Sequence, residues 1–83
     1  MTDDNIHLKF AHLIEVLEAL KKPKYTRQLL EELDDFRKHE LLKEAIEKGL
    51  VKREKDSRRQ YNVLTEKGRD MLANYNRLLE MID

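Results

Sequence analysis

Residues 49–68, GLVKREKDSRRQYNVLTEKG, interrupt a chain otherwise patterned for helix, and the only two glycines of the sequence stand at the ends of the interruption. Inside it, Leu50 to Glu54 and Tyr61 to Leu64 hold β-branched and aromatic residues, which favour strands. Between them Lys55 to Arg59 is polar, and Asp56-Ser57 suits a turn because short oxygen-bearing side chains bond the local backbone. The stretch predicts a β-hairpin. A lone two-stranded hairpin is marginal in water, so this one must lean on the helices around it. That requirement points to a mainly α fold with a small β-hairpin, an α+β class.

The flanking helices are legible from their apolar spacing. Thr2, Asp3, Asp4 and Asn5 suit a helix start, since their oxygens accept from the free N–H groups of a first turn. Ile6, Phe10, Leu13, Ile14, Leu17 and Leu20 then recur at three- and four-residue steps, one apolar stripe. Pro23 in KKPK ends that helix because it lacks the N–H that the ladder needs. Thr26 is placed to cap a short second helix with Leu29, Leu30 and Leu33 inward. Asp34 and Asp35 break it and offer a cap to a third, whose buried face is Leu41, Leu42, Ala45, Ile46 and then Leu50. Gly49 stands where a left-handed residue closes a helix, just after Lys48. Thr65 caps a fourth helix, with Glu66 at its positive end; Gly68 takes the place where Glu or Gln would complete the capping box.

Composition bounds what such a chain can do. Its 83 residues suffice for one small domain, residues 1–83, with a thin core that a second subunit would help to complete. Lys+Arg and Asp+Glu number 17 each, so attraction to a charged partner must come from how charge is distributed. Cysteine is absent, which excludes disulfide and thiol chemistry and fits a reducing interior. No apolar run reaches the ~18 residues of a membrane span, and the acidic start MTDDN is unlike a signal peptide. The expected location is cytoplasmic.

The order helix, helix, helix, hairpin, helix gives the two glycine motifs a context. LLKEAIEKGLVKRE followed by YNVLTEKGRDML resembles the winged helix-turn-helix of small archaeal and bacterial transcriptional regulators. It is most similar to compact archaeal dimeric regulators and chromatin-type proteins, and more distantly to the MarR and PadR types. The resemblance covers residues 6–83, with 6–64 as helix-turn-helix and wing and 65–82 as a dimerisation helix. It implies a homodimer that binds double-stranded DNA in the nucleoid; the residues themselves give no reason to expect a cofactor, metal or small-molecule substrate. In that family the hairpin is the wing, and its tip approaches the sugar-phosphate backbone. Lys52, Arg53, Lys55, Arg58 and Arg59 there oppose two acids, and Ser57 sits among them at the tip. The third helix would read bases through Arg37, Lys38, His39 and Lys43, Arg37 being able to donate a bidentate pair to guanine. Lys21, Lys22, Lys24 and Arg27 form a second basic cluster that can grip phosphate. One departure from the family stands at Asn62, two before Leu64, where an aromatic is usual. Either the hairpin register differs, or Asn62 is exposed and Tyr61 packs inward.

The last helix bears on assembly. Met71, Tyr75, Leu78 and Ile82 step by four, three and four, the spacing of a coiled-coil seam, and Leu72 and Leu79 widen it. With Ile6 and Phe10 of the first helix, Met71, Tyr75, Leu78, Leu79 and Ile82 are the expected dimer interface. Catalysis finds no foothold. Ser57 is the only serine and has no histidine near it in sequence, and His7 and His12 fall on different helix faces. The chain is read as a non-enzyme. The competing function is a winged-helix protein-interaction module without DNA binding, favoured by Glu40, Glu44 and Glu47 on the third helix.

Overall fold

A computed structural model describes the backbone of residues 2–82 apart from Asp34, and the side chains of residues 9–82 with the same exception. The elements follow the order α1 (Thr2–Ala19), β1 (Lys24–Tyr25), α2 (Thr26–Glu32), α3 (Phe36–Glu47), β2 (Val51–Asp56), β3 (Arg59–Leu64) and α4 (Glu66–Ile82). It is a mostly helical α+β fold with a three-stranded antiparallel sheet in the order β1-β3-β2. The expected helices and hairpin are present. The short β1 was not expected; two residues carry no period to read.

The core gathers Ile14, Val16, Leu17 and Leu20 of α1, Leu29 and Leu33 at α2, and Leu41, Leu42 and Ala45 of α3. Leu50, Val51, Leu64 and Leu72 close it from the hairpin and α4. Among the described residues, thirteen apolar side chains are buried, all in stretches whose spacing is periodic or strand-like. Two ion pairs tie α1 to α3 at the rim, Lys9 to Glu44 at 3.1 Å and Lys38 to Glu15 at 2.5 Å. The expected Ile6 contact and the Asp34 cap lie outside the described side chains.

Local chemistry explains where the helices stop and start. The Oδ1 of Asp35 accepts from the Arg37 N–H at 2.8 Å and caps α3. α3 ends through Lys48, and Gly49 follows at φ +78°, the left-handed region expected of it. Thr26 does not cap α2: Tyr25 occupies the cap position, and the Thr26 hydroxyl accepts instead from Asn62 Nδ2 at 3.0 Å. Thr65 does what its sequence context requires. Its Oγ1 accepts from the Gly68 N–H at 3.1 Å, and its hydroxyl donates to the Gly49 carbonyl at 2.6 Å. The Thr65 N–H also donates to the Leu50 carbonyl at 3.0 Å. The two glycine motifs are thus clasped to each other.

The hairpin turn is tighter than the sequence implied. Strand pairing runs out to Asp56 opposite Arg59, leaving only Ser57 and Arg58 as the turn, with Ser57 at φ +58°. Asn62 corrects the other expectation. It is fully buried on the same face as Leu64, opposite Arg53 in register, while Tyr61 lies half-buried on the outer face. Its amide is fully used. Oδ1 accepts from Arg53 Nε at 3.0 Å, and Nδ2 donates to Thr26 Oγ1 and, at 3.4 Å, to the Lys24 carbonyl. A buried amide with every group paired stitches β1, α2 and β2 to β3.

Candidate nucleic-acid interface

The hairpin and the start of α2 enclose an open groove of about 820 Å³. Arg27 and Gln28 of α2 stand on one side of it; Lys55, Arg58, Arg59 and Gln60 stand on the other. β1 makes this possible. By pairing Lys24 with Asn62 and Tyr25 with Tyr61, it draws the N-terminal turn of α2 beside the hairpin. Arg27, Lys55, Arg58 and Arg59 are all exposed, and Glu31 is the one acid lining the groove. Its contact with Arg27, at 4.0 Å between two well-exposed side chains, holds little energy.

Aromatic packing orients one of these cations. The Arg59 guanidinium lies 5.3 Å from the centre of the Tyr25 ring, within cation–π range. Tyr25 in turn meets Tyr61 edge to face, with centroids 6.4 Å apart. The Tyr61 hydroxyl donates to Glu54 Oε2, and Lys52 Nζ sits 2.9 Å from Glu54 Oε1. The Tyr61 bond first, and Lys52 second, hold the Glu54 carboxyl below its ordinary range. The same bond, with some help from burial, pushes the Tyr61 hydroxyl up.

Several residues expected at a nucleic-acid surface are committed elsewhere. Lys38 reaches back to Glu15 on α1. His39 is half-buried, and its Nε2–H points at the Leu30 carbonyl (3.1 Å) and the Leu33 carbonyl, closing the end of α2. Lys24 pairs with Glu32 at 2.5 Å, Lys52 with Glu54, and Arg53 with Asn62. Four of the five stand beside a neighbouring segment that holds their partner, while Lys52 meets Glu54 two residues on along its own strand.

Arg37 and Lys43 are exposed on α3, as are Lys21 and Lys22 in the bend after α1 and Ser57 at the hairpin tip. The exposed face of α3 is completed by Phe36, Glu40 and Glu47, so its two cations are balanced by two acids. Phe36, 72% exposed at the first position of α3, was missed, as were Tyr25, Gln28 and Gln60. Phe36 breaks the apolar period of its helix, and that misfit was the available signal. The others became neighbours only through β1.

The expected assembly residues divide in two. Met71 and Tyr75 are half-buried against the core, and Tyr75 meets Phe10 at a ring separation of 6.0 Å. Leu78, Leu79 and Ile82 are exposed beyond it. Among the described residues, no helix is long and apolar enough to cross a membrane. Comparison of the chain with protein-family models, with curated proteins and with solved structures finds no match.

Proposed function

We propose that the protein is a winged helix-turn-helix protein that binds double-stranded DNA as a homodimer in the nucleoid, as a transcriptional regulator or a chromatin-type protein. In this reading β2–β3 is the wing and α3 is the helix offered to the major groove. The single observation that carries it is the convergence of Arg27, Lys55, Arg58 and Arg59 on one groove from two elements. Guanidinium and ammonium groups held there in water meet phosphate oxygens without any charge being buried. Two elements gripping one strand fix its path, which a single basic loop cannot do.

The exposed face of α3 is electrically neutral, so it contributes reading rather than attraction. Arg37 is built to donate to guanine, and Phe36 to touch a thymine methyl group. The same face favours a second reading. Exposed Phe36 among Glu40 and Glu47 also suits a protein partner, and the chain would then be an interaction module of the same shape.

Fluorescence anisotropy with mixed-sequence duplex DNA separates the two. DNA binding requires log K to fall with log salt by roughly 0.9 for each phosphate neutralised. Reversing Arg58 and Arg59 together to glutamate is expected to weaken binding to every sequence and to flatten that slope. Absence of binding at tens of micromolar protein in low salt selects the interaction module.

A further inference from the structure

We infer that the groove between α2 and the hairpin takes an unpaired base, so that the protein prefers DNA in which a duplex gives way to a single strand. This rests on the DNA reading above and narrows it, from phosphate contact in general to the kind of strand the groove admits.

Phosphates alone would call for cations only, and the groove holds more. Its lining includes the ring of Tyr25, the half-buried side chain of Leu30 and the exposed amides of Gln28 and Gln60. Those are the only two glutamines of the sequence, and they reach the groove from opposite walls, one on α2 and one on β3. Among the described residues neither amide has a side-chain hydrogen bond, whereas the Asn62 amide is fully used. An amide presents a donor beside an acceptor, the pair that matches N6–H and N7 of adenine. The volume of about 820 Å³ suits a site for a small organic group. Glu31 stands with Arg27 on the α2 wall, so the hairpin wall is lined without an acid.

Arg59 supplies the surface on which a base rests. Its guanidinium lies 5.3 Å from the centre of the Tyr25 ring, and Tyr61 holds that ring by an edge contact at 6.4 Å. A guanidinium is planar; with one side backed by an aromatic ring, the other is left for a base to stack on. Strand pairing fixes Tyr25 beside Tyr61, so the stack is built before any strand arrives.

Reach decides the type of strand. Base edges inside a duplex are met by elements that protrude into its grooves, not by a recess between two elements of the protein. A base outside a duplex swings clear of its neighbours and enters such a recess, with its phosphate toward Lys55 and Arg58.

Fluorescence anisotropy with three labelled DNAs of one duplex sequence tests this: blunt, with a short adenine overhang, and with an abasic overhang of equal length. The abasic overhang carries the phosphates without the bases. The adenine overhang is expected to bind at least about five-fold tighter than the abasic one, the low end of what one stacked base contributes. Arg59→Lys keeps the charge and loses the plane, and should bring that ratio close to one. The Q28A/Q60A double variant should narrow the difference between adenine and thymine overhangs. Equal affinity of the wild type for adenine and abasic overhangs overturns the inference and leaves duplex binding to be judged on the blunt DNA. A ratio unmoved by Arg59→Lys also overturns it. Binding of the adenine overhang without the blunt duplex supports the inference and overturns the duplex reading. Failure of all three DNAs to bind overturns both.

Discussion

Gly68 rests directly on the backbone of Leu50: a β-carbon at Gly68 would lie 2.1 Å from the Leu50 carbonyl oxygen. That oxygen already accepts the Thr65 N–H, so it cannot swing aside without undoing the start of α4. The two glycines of the chain therefore have different reasons. Gly49 is needed for its dihedral angle, and nothing lies within 4 Å of where its β-carbon would be.

Alanine at the two positions is expected to separate these reasons. Gly49→Ala should cost about 1–2 kcal/mol, the penalty of a left-handed residue with a β-carbon. Gly68→Ala should cost at least about 3 kcal/mol, because backbone must move. Urea denaturation followed by circular dichroism measures both; equal midpoints would remove the backbone contact as the explanation.

Asn62 is expected to be a stability residue. Asn62→Leu strips the donor from the Lys24 carbonyl and Thr26, and the acceptor from Arg53. A loss of about 1–3 kcal/mol follows from leaving buried polar groups unpaired. Hydrogen exchange at Lys24 and Tyr25 should rise more than at α3, since β1 loses its side-chain tether to β3.

The outer face of the sheet carries a pH dependence at both ends. The folded Glu54 carboxyl titrates below its ordinary range, held there by Tyr61 and then Lys52. Its contribution to stability is present above the unfolded value and fades as pH falls through the lowered one. Tyr61 is raised by the same bond, so its contribution is present below the ordinary tyrosine value and fades as pH climbs through the raised one. Tyr61→Phe is expected to return Glu54 toward its ordinary value and to remove the alkaline limb. Carboxyl ¹³C titration by NMR reads this, and an unmoved Glu54 would mean that Lys52 alone sets it.

Ser57 occupies a left-handed turn position that glycine adopts without strain. Ser57→Gly should raise stability by about 0.5–1 kcal/mol while leaving Arg58 and Arg59 in place. Thermal unfolding checks the first statement, and unchanged DNA affinity the second.

Apolar spacing made the helices and the hairpin legible, because burial imposes a period on a sequence. What it could not convey was pairing between segments distant along the chain. Tyr25 and Arg59 are separated by half the hairpin and all of α2 and α3, and only a two-residue strand makes them neighbours. The same limit applies to charge. Lys38 and His39 look like free polar residues on a helix, yet Glu15 and the carbonyls of Leu30 and Leu33 claim them. Arg58 was readable because a tight turn leaves its side chain exposed, and Arg59 beside it stays exposed although its guanidinium lies over the Tyr25 ring.

The sheet order leaves β2 as its one long outer strand, spelled Val-Lys-Arg-Glu-Lys-Asp. Five consecutive charges along an open rim make it a poor template for another strand, since stacking would force like charges together and strip their water. Fibril-like growth through the sheet is thereby discouraged, and contact between molecules is left to the helical side of the fold.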